Sequence, residues 1–123
     1  STMHKLGNKN FTLLSRMIDL ESARQRVISQ NIANVDTPNY RRRTLDFHTS
    51  LRQAMDKGTA EAYTGIQGYV NRPNTTAVRN NGNNVDIDME MRDLNTNALA
   101  YEVYTSLYNK KSTMIKAAIR GGR

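Results

Sequence analysis

The stretch Ser29-Gln-Asn-Ile-Ala-Asn-Val-Asp-Thr-Pro-Asn-Tyr40 decides how the whole chain is read. It begins as a helix and ends as a turn. Ile28, Ile32 and Val35 keep the i, i+4, i+7 spacing of one helical face. Pro38 then pushes Thr37 out of the helical region. Asn34 and Asp36 are short polar residues that bond nearby backbone and favour helix ends and turns. The helix is therefore expected to stop near residue 34, with the chain turning through Pro38 towards Tyr40.

Upstream, the helical period runs back to about Asn10. Leu14, Ile18, Gln25, Ile28 and Ile32 fall near one stripe, and Leu13, Met17, Leu20 and Val27 lie beside it. So broad an apolar arc suits a helix packed on more than one side, and Glu21 is placed to meet Arg24 at i+3. A helix over residues 10–34 spans about 38 Å, a coiled-coil length. Residues 1–9 stand apart as an N-terminal extension.

Downstream, residues 35–84 lose the period. Leu45, Phe47 and Leu51 are spaced for either a short helix or a strand. Gly58, Gly65, Gly68 and Pro73 then lead into the polar tract Asn80-Asn-Gly-Asn-Asn84. Tyr63, Ile66, Tyr69 and Val70 give only a weak strand or hairpin signal. A segment this long with so little periodicity is expected to be mobile until docked, or a loop that touches neighbours.

From residue 85 to 120 the helical period returns. Ile87, Met91, Leu94, Ala98, Tyr101, Tyr108, Ile115 and Ile119 follow alternating steps of three and four, interrupted by Thr105 and Ser112. Such a seam indicates coiled-coil packing. Asp86, Asp88, Glu90 and Asp93 crowd the start, where they suit an N-terminal cap, and Lys110, Lys111, Lys116 and Arg120 gather near the end. Gly121-Gly122 is expected to stop the helix.

The fold class that follows is mainly α: two long terminal helices packed as a coiled-coil-like antiparallel pair, with an irregular, loop-rich middle. The last helix carries more apolar surface than one partner covers, so assembly with further chains is expected. With 37% hydrophobic and 7% aromatic residues, the core is thin for a chain of this size, and the isolated chain is expected to be partly unfolded or to aggregate.

Composition narrows the function. The absence of Cys removes disulfides and thiolate metal sites. No apolar run approaches the roughly 20 residues of a membrane span, and residues 1–10 lack the apolar stretch of a cleaved secretory signal. The formal charge of +7 comes from 18 Lys and Arg spread along the chain, with one cluster at Arg41, Arg42 and Arg43 beside Tyr40. A nucleic-acid face needs more cations on one element and more stacking aromatics. A lightly basic surface, or contact with acidic neighbours, accounts for the spread.

Catalysis finds no footing. His4 and His48 are the two histidines and have no nucleophile signature beside them. Asp86, Asp88 and Glu90 alternate as in a calcium loop, but the twelfth-position Glu is missing. There is no phosphate-cradling glycine loop, and the six methionines read as core filler. No enzyme activity, cofactor or metal is expected.

Ser29, Asn31, Ile32, Ala33, Asn34, Thr37, Pro38 and Tyr40 form the pattern Ser-x-Asn-Ile-Ala-Asn-x-x-Thr-Pro-x-Tyr. It resembles the N-terminal signature of the bacterial flagellar rod and hook proteins. Asn39 stands where that family usually has glycine. Asn is the non-glycine residue that best tolerates positive φ, so the same turn remains open to it. Thr44-Leu-Asp-Phe47 and Gly82-Asn-Asn-Val-Asp-Ile-Asp-Met-Glu90 further resemble the proximal rod (FlgB) type, over about residues 10–55 and 82–120.

The resemblance implies a structural component of the flagellar basal body, its terminal helices stacked into the hollow rod that crosses the periplasm and transmits torque. It implies export without a cleaved signal peptide. Its partners would be copies of itself, other rod proteins, the small adaptor protein, the membrane ring and the export gate, with no nucleic acid and no direct lipid anchor. Early export substrates resemble one another in a Phe followed four residues later by an apolar residue, which Phe47 and Leu51 satisfy; packing of the pair against a helix is the competing reading. Asn31 and Asn34, three residues apart on one helix face, are expected to bond backbone at the turn or on an adjoining subunit, with Tyr40 packed beside them. The alternative class is a basic coiled-coil module that binds nucleic acid or an acidic protein.

Overall fold

The computed structural model describes the backbone of residues 2–121 and the side chains of residues 9–121. Two long helices dominate, α1 (Thr2–Ala33) and α4 (Ile87–Gly121). Helix α1 starts well ahead of Asn10, because no proline precedes Pro38 and a lone Gly7 costs only about 1 kcal/mol against Ala. Helix α4 runs through Gly121 instead of stopping before it, and Gly122 lies outside the described residues.

The pair is antiparallel. Asn31 meets Glu90, Glu21 meets Asn97, and the ring of Phe11 lies 4.5 Å from that of Tyr108 at 62°. Descending α1 thus means ascending α4. The register differs from the expected seam in one respect. Ile28 is buried, and Leu14, Ile18, Leu94, Tyr108 and Ile115 are half-buried, but Ile87, Met91, Ala98 and Tyr101 are exposed. The inward face of α4 instead carries Glu90, Asn97 and Tyr104. These follow their own seven-residue repeat, displaced about a third of a turn or less from the apolar one. The displacement has a physical cause. On α1 the facing positions are Glu21 and Asn31, so polar side chains on α4 find partners there that an apolar seam would leave stranded.

The middle is loop-rich, yet it holds small elements. Strand β1 (Thr44–Asp46) pairs antiparallel with β2 (Tyr69–Asn71), Leu45 lying opposite Val70. Between them α2 (His48–Lys57) and α3 (Ala60–Thr64) fold back over α1. Both readings of the 45–51 spacing hold in part: Leu45 is in the strand, Leu51 is in the helix, and Phe47 sits at the junction. Asp46 accepts a bond from His48 N–H at 3.0 Å, and Thr59 accepts one from Ala62 N–H at 3.1 Å, so each short helix starts on a side-chain oxygen.

Met17, Leu20, Phe47, Ala54, Tyr63 and Ile66 form the core beneath these short helices. Arg24 lays its guanidinium 4.3 Å above the Phe47 ring and donates to Leu45 O at 3.2 Å, sealing one side. Arg16 donates to Ile66 O at 2.7 Å on the other. The packing is confined to one half of the molecule. Among the described residues, none before Met17 on α1 and none after Asn97 on α4 is buried. The other half is a two-helix stem.

Candidate functional site

Helix α1 ends in a turn whose bonds are local. Asn34 donates through Nδ2 to Gln30 O at 2.8 Å and accepts from Thr37 Oγ1 at 3.0 Å. Its backbone oxygen takes Thr37 N–H at 3.0 Å. One side chain therefore serves a carbonyl of the last helical turn and a hydroxyl of the loop, satisfying groups a helix end leaves open. Beyond Pro38 the chain passes through Asn39 at φ 63, the left-handed conformation that Asn tolerates.

The polar tract at residues 80–84 wraps this turn. Asn83 is fully buried and its Nδ2 donates to both Asn34 O and Thr37 O at 2.8 Å. Asn39 N–H donates to Asn81 O at 2.8 Å, Asn84 N–H to Tyr40 O at 3.3 Å, and the Arg79 guanidinium to Val35 O and Val85 O. The clasp needs Gly82, at φ 82, because a Cβ there would lie 2.3 Å from Asn39 Oδ1. Gly82→Ala is expected to destabilise the chain by about 1–3 kcal/mol. The check is a thermal melt, where each kcal/mol is worth about 4–8 °C for a domain near this size.

Beneath the turn lies a buried polar lock. Asn31 is fully buried and uses its whole amide. Nδ2 donates to Arg43 O at 2.7 Å and to the Glu90 carboxylate at 3.2 Å, while Oδ1 accepts from Arg43 N–H at 3.0 Å and Tyr40 OH at 2.9 Å. The side chain thus pairs with the backbone of residue 43 as a neighbouring strand would. Arg42, 4% exposed, donates through Nε to Glu90 at 2.7 Å, and its backbone N–H donates to Asn84 Oδ1 at 2.6 Å. Glu90 itself is fully buried. Three segments far apart in sequence, the end of α1, residues 40–43 and the start of α4, converge on one carboxylate.

Of the eight signature residues, Asn31, Asn34, Tyr40 and Thr37 enter these networks, and Ile32 is half-buried. Ser29, Ala33 and Pro38 are exposed beside them. Phe47 is core and Leu51 packs against it. Arg42, Asn83, Asn84 and Glu90 also belong to the site, although no local sequence pattern marks them as members. Glu90 falls in the acidic stretch that suits a helix cap, but Asp86 accepts the bonds of the first turn, from Asp88 N–H at 3.0 Å and Met89 N–H at 3.2 Å. The signal that could have found Glu90 is its seven-residue spacing to Asn97, two polar residues on one inward stripe. His48 is exposed on α2 with Arg52 at 2.8 Å from Nε2, and the side chain of His4 lies outside the described residues.

Residues 12–41 match the family model described as flagella basal body rod protein. The matched stretch ends within the turn and covers Asn31, Asn34 and Tyr40. Beyond that stretch, similarity extends to flagellar basal body rod protein FlgB of Borrelia hermsii, 35% identical over 77% of this chain and 84% of the relative. FlgB of Bacillus subtilis is 31% identical over 89% of this chain and 92% of the relative. FlgB of Escherichia coli is 30% identical over 72% and 77%. With two long helices, a signature turn and near full-length likeness, the chain belongs to the FlgB family of flagellar basal body rod proteins, structural components of the flagellum and not enzymes.

Proposed function

We propose that the lock and clasp set the working geometry of a rod subunit. They fix α1 against α4 in register and fix the direction in which the chain leaves α1. The exposed apolar flank of α4, with Ile87 and Met91 each more than 40% exposed, is then free to meet neighbouring subunits in the tube that spans the periplasm and carries torque. Such a subunit sits at the base of the rod, beside the adaptor protein, the membrane ring and the export gate that the resemblance implies. The observation that carries the reading is the convergence of Asn31, Arg42 and Glu90: a buried polar cluster specifies one arrangement where apolar packing alone would tolerate several.

The experiment is Asn34→Leu in the living cell. The variant loses the bonds to Gln30 O and Thr37 Oγ1 and about 1–2 kcal/mol, too little to unfold a domain. It is expected to be expressed and exported but to build no rod, giving no halo on a swim plate beside a normal secretion blot. Ordinary swimming would reduce the turn to a plain helix stop. Phe47 and Leu51 bear on export only in a chain not yet folded, since folding buries Phe47. Replacing both with Ala is expected to trap the protein inside the cell; normal export with failed assembly would assign the pair to packing.

A further inference from the structure

The net charge is not scattered once the fold is considered. Residues 1–18 and 103–123 carry eight Lys and Arg and no Asp or Glu, whereas residues 19–102 carry ten Lys and Arg against eleven Asp and Glu. The positive excess therefore resides in the two sequence ends, and the antiparallel pairing brings their described parts, residues 9–18 and 103–121, to one place, the stem. Among the described residues, Lys9, Lys110, Lys111, Lys116 and Arg120 enter no ion pair. Among the described residues of the same stem, none before Met17 on α1 and none after Asn97 on α4 is buried. Along it runs an open groove of about 410 Å³ between α1 and α4, floored by Leu13, Leu14, Leu107 and Met114 and rimmed by Lys110 and Lys111.

We infer that this groove receives an amphipathic helix with acidic flanks from a different protein chain. An apolar floor beside a cationic rim on α4 is the complement of such a helix, with anchors at i, i+3 or i+4 and i+7 entering the groove and carboxylates meeting the lysines. A second copy does not meet the need. The stem of each copy repeats the same cations, so pairing stem on stem accumulates repulsion instead of neutralising it. An anionic bilayer fits less well, because Leu13 and Leu14 of the floor are half-buried between the two helices. Lys110 and Lys116 also lie on different sides of α4, not on one polar face opposite an apolar one. Nucleic acid lacks a stacking platform there, since Phe11 and Tyr108 are engaged with each other. The inference rests on the assembly reading for its context and is tested apart from it.

The test is anisotropy titration of the full chain against a labelled helical peptide of about 18 residues, Leu at the anchor positions and Glu on both flanks. Binding is expected to be at least about tenfold tighter than that of the same peptide with Gln flanks, and to weaken steeply as salt rises. Lys110→Glu with Lys111→Glu is expected to cost at least about tenfold, and Leu107→Ser to weaken both peptides alike. Both variants alter side chains that are exposed or half-buried, and circular dichroism confirms that each remains helical. Equal binding of the Glu and Gln peptides overturns the inference. So does preferential capture by phosphatidylserine vesicles or duplex DNA in competition, or sedimentation showing that a second copy excludes the peptide. None of these outcomes touches the swim-plate result for Asn34→Leu, so the two readings fail separately.

Discussion

Arg42→Met is expected to lower the stability of the folded chain by about 3–5 kcal/mol, a large part of the total for a domain of this kind. The reason is what it leaves behind. Glu90 is fully buried, and its 2.7 Å bond to Arg42 Nε is its shortest contact. Asn31 remains at 3.2 Å as a neutral donor, and Asp93, which also approaches Arg42 at 3.7 Å, becomes an uncompensated like charge. A carboxylate without its cation in so dry a place pays the desolvation cost unopposed. The double variant Arg42→Met with Glu90→Leu removes both charges and is expected to be clearly more stable than Arg42→Met alone. The measurement is chemical denaturation of the wild type, both single variants and the double, closed as a cycle with an interaction energy above about 1 kcal/mol. Simple additivity would mean the pair is spectator to the fold.

The pair also explains how much of the molecule was legible beforehand. Periodicity carried the two helices and their pairing, because Ile28, Leu94 and Tyr108 obey spacing rules that need no knowledge of the partner. It misplaced the inward face of α4. Apolar periodicity cannot see that Glu90 and Asn97 are buried, since both read as surface until Arg42, Asn31 and Glu21 are known to face them. The turn was legible as a helix exit with a left-handed residue at 39. Its clasp was not, because Asn83 reaches Asn34 O across 49 positions and no local rule ties them. Of the short helices in the middle, α2 is only half-legible, as one of two readings of the 45–51 spacing, and α3 escapes, for a related reason. Their cores are single residues, Ala54 in α2 and Tyr63 in α3, too few to establish a period. Charge followed the same logic: its segregation exists in the linear order of the ends but becomes a surface only when antiparallel pairing joins them.

The strongest single-residue test of the lock is Asn31, where two substitutions separate bonding from charge. Asn31→Leu keeps roughly the volume but strands Arg43 N–H, Arg43 O and Tyr40 OH, which lie 2.7–3.0 Å from the amide. At about 1–3 kcal/mol for each stranded group, the total is about 2–6 kcal/mol even if water rescues one of them. Asn31→Asp keeps the shape and the two acceptor contacts but loses both donors, and it places a second carboxyl where Nδ2 stood 3.2 Å from Glu90. Burial and the neighbouring carboxylate both raise the affinity of the introduced group for protons above its unfolded value. A raised carboxyl destabilises the fold above that point and relaxes as pH falls through it, since protonation removes the charge and restores one donor. Asn31→Asp is therefore expected to be as damaging as Asn31→Leu near pH 7 and to recover relative to it towards about pH 5. Denaturation curves at the two pH values read the difference directly. If the two variants keep a constant gap across that range, the carboxylate of Glu90 is not what Asn31 serves. The amide would then matter only as a strand-like partner for residue 43.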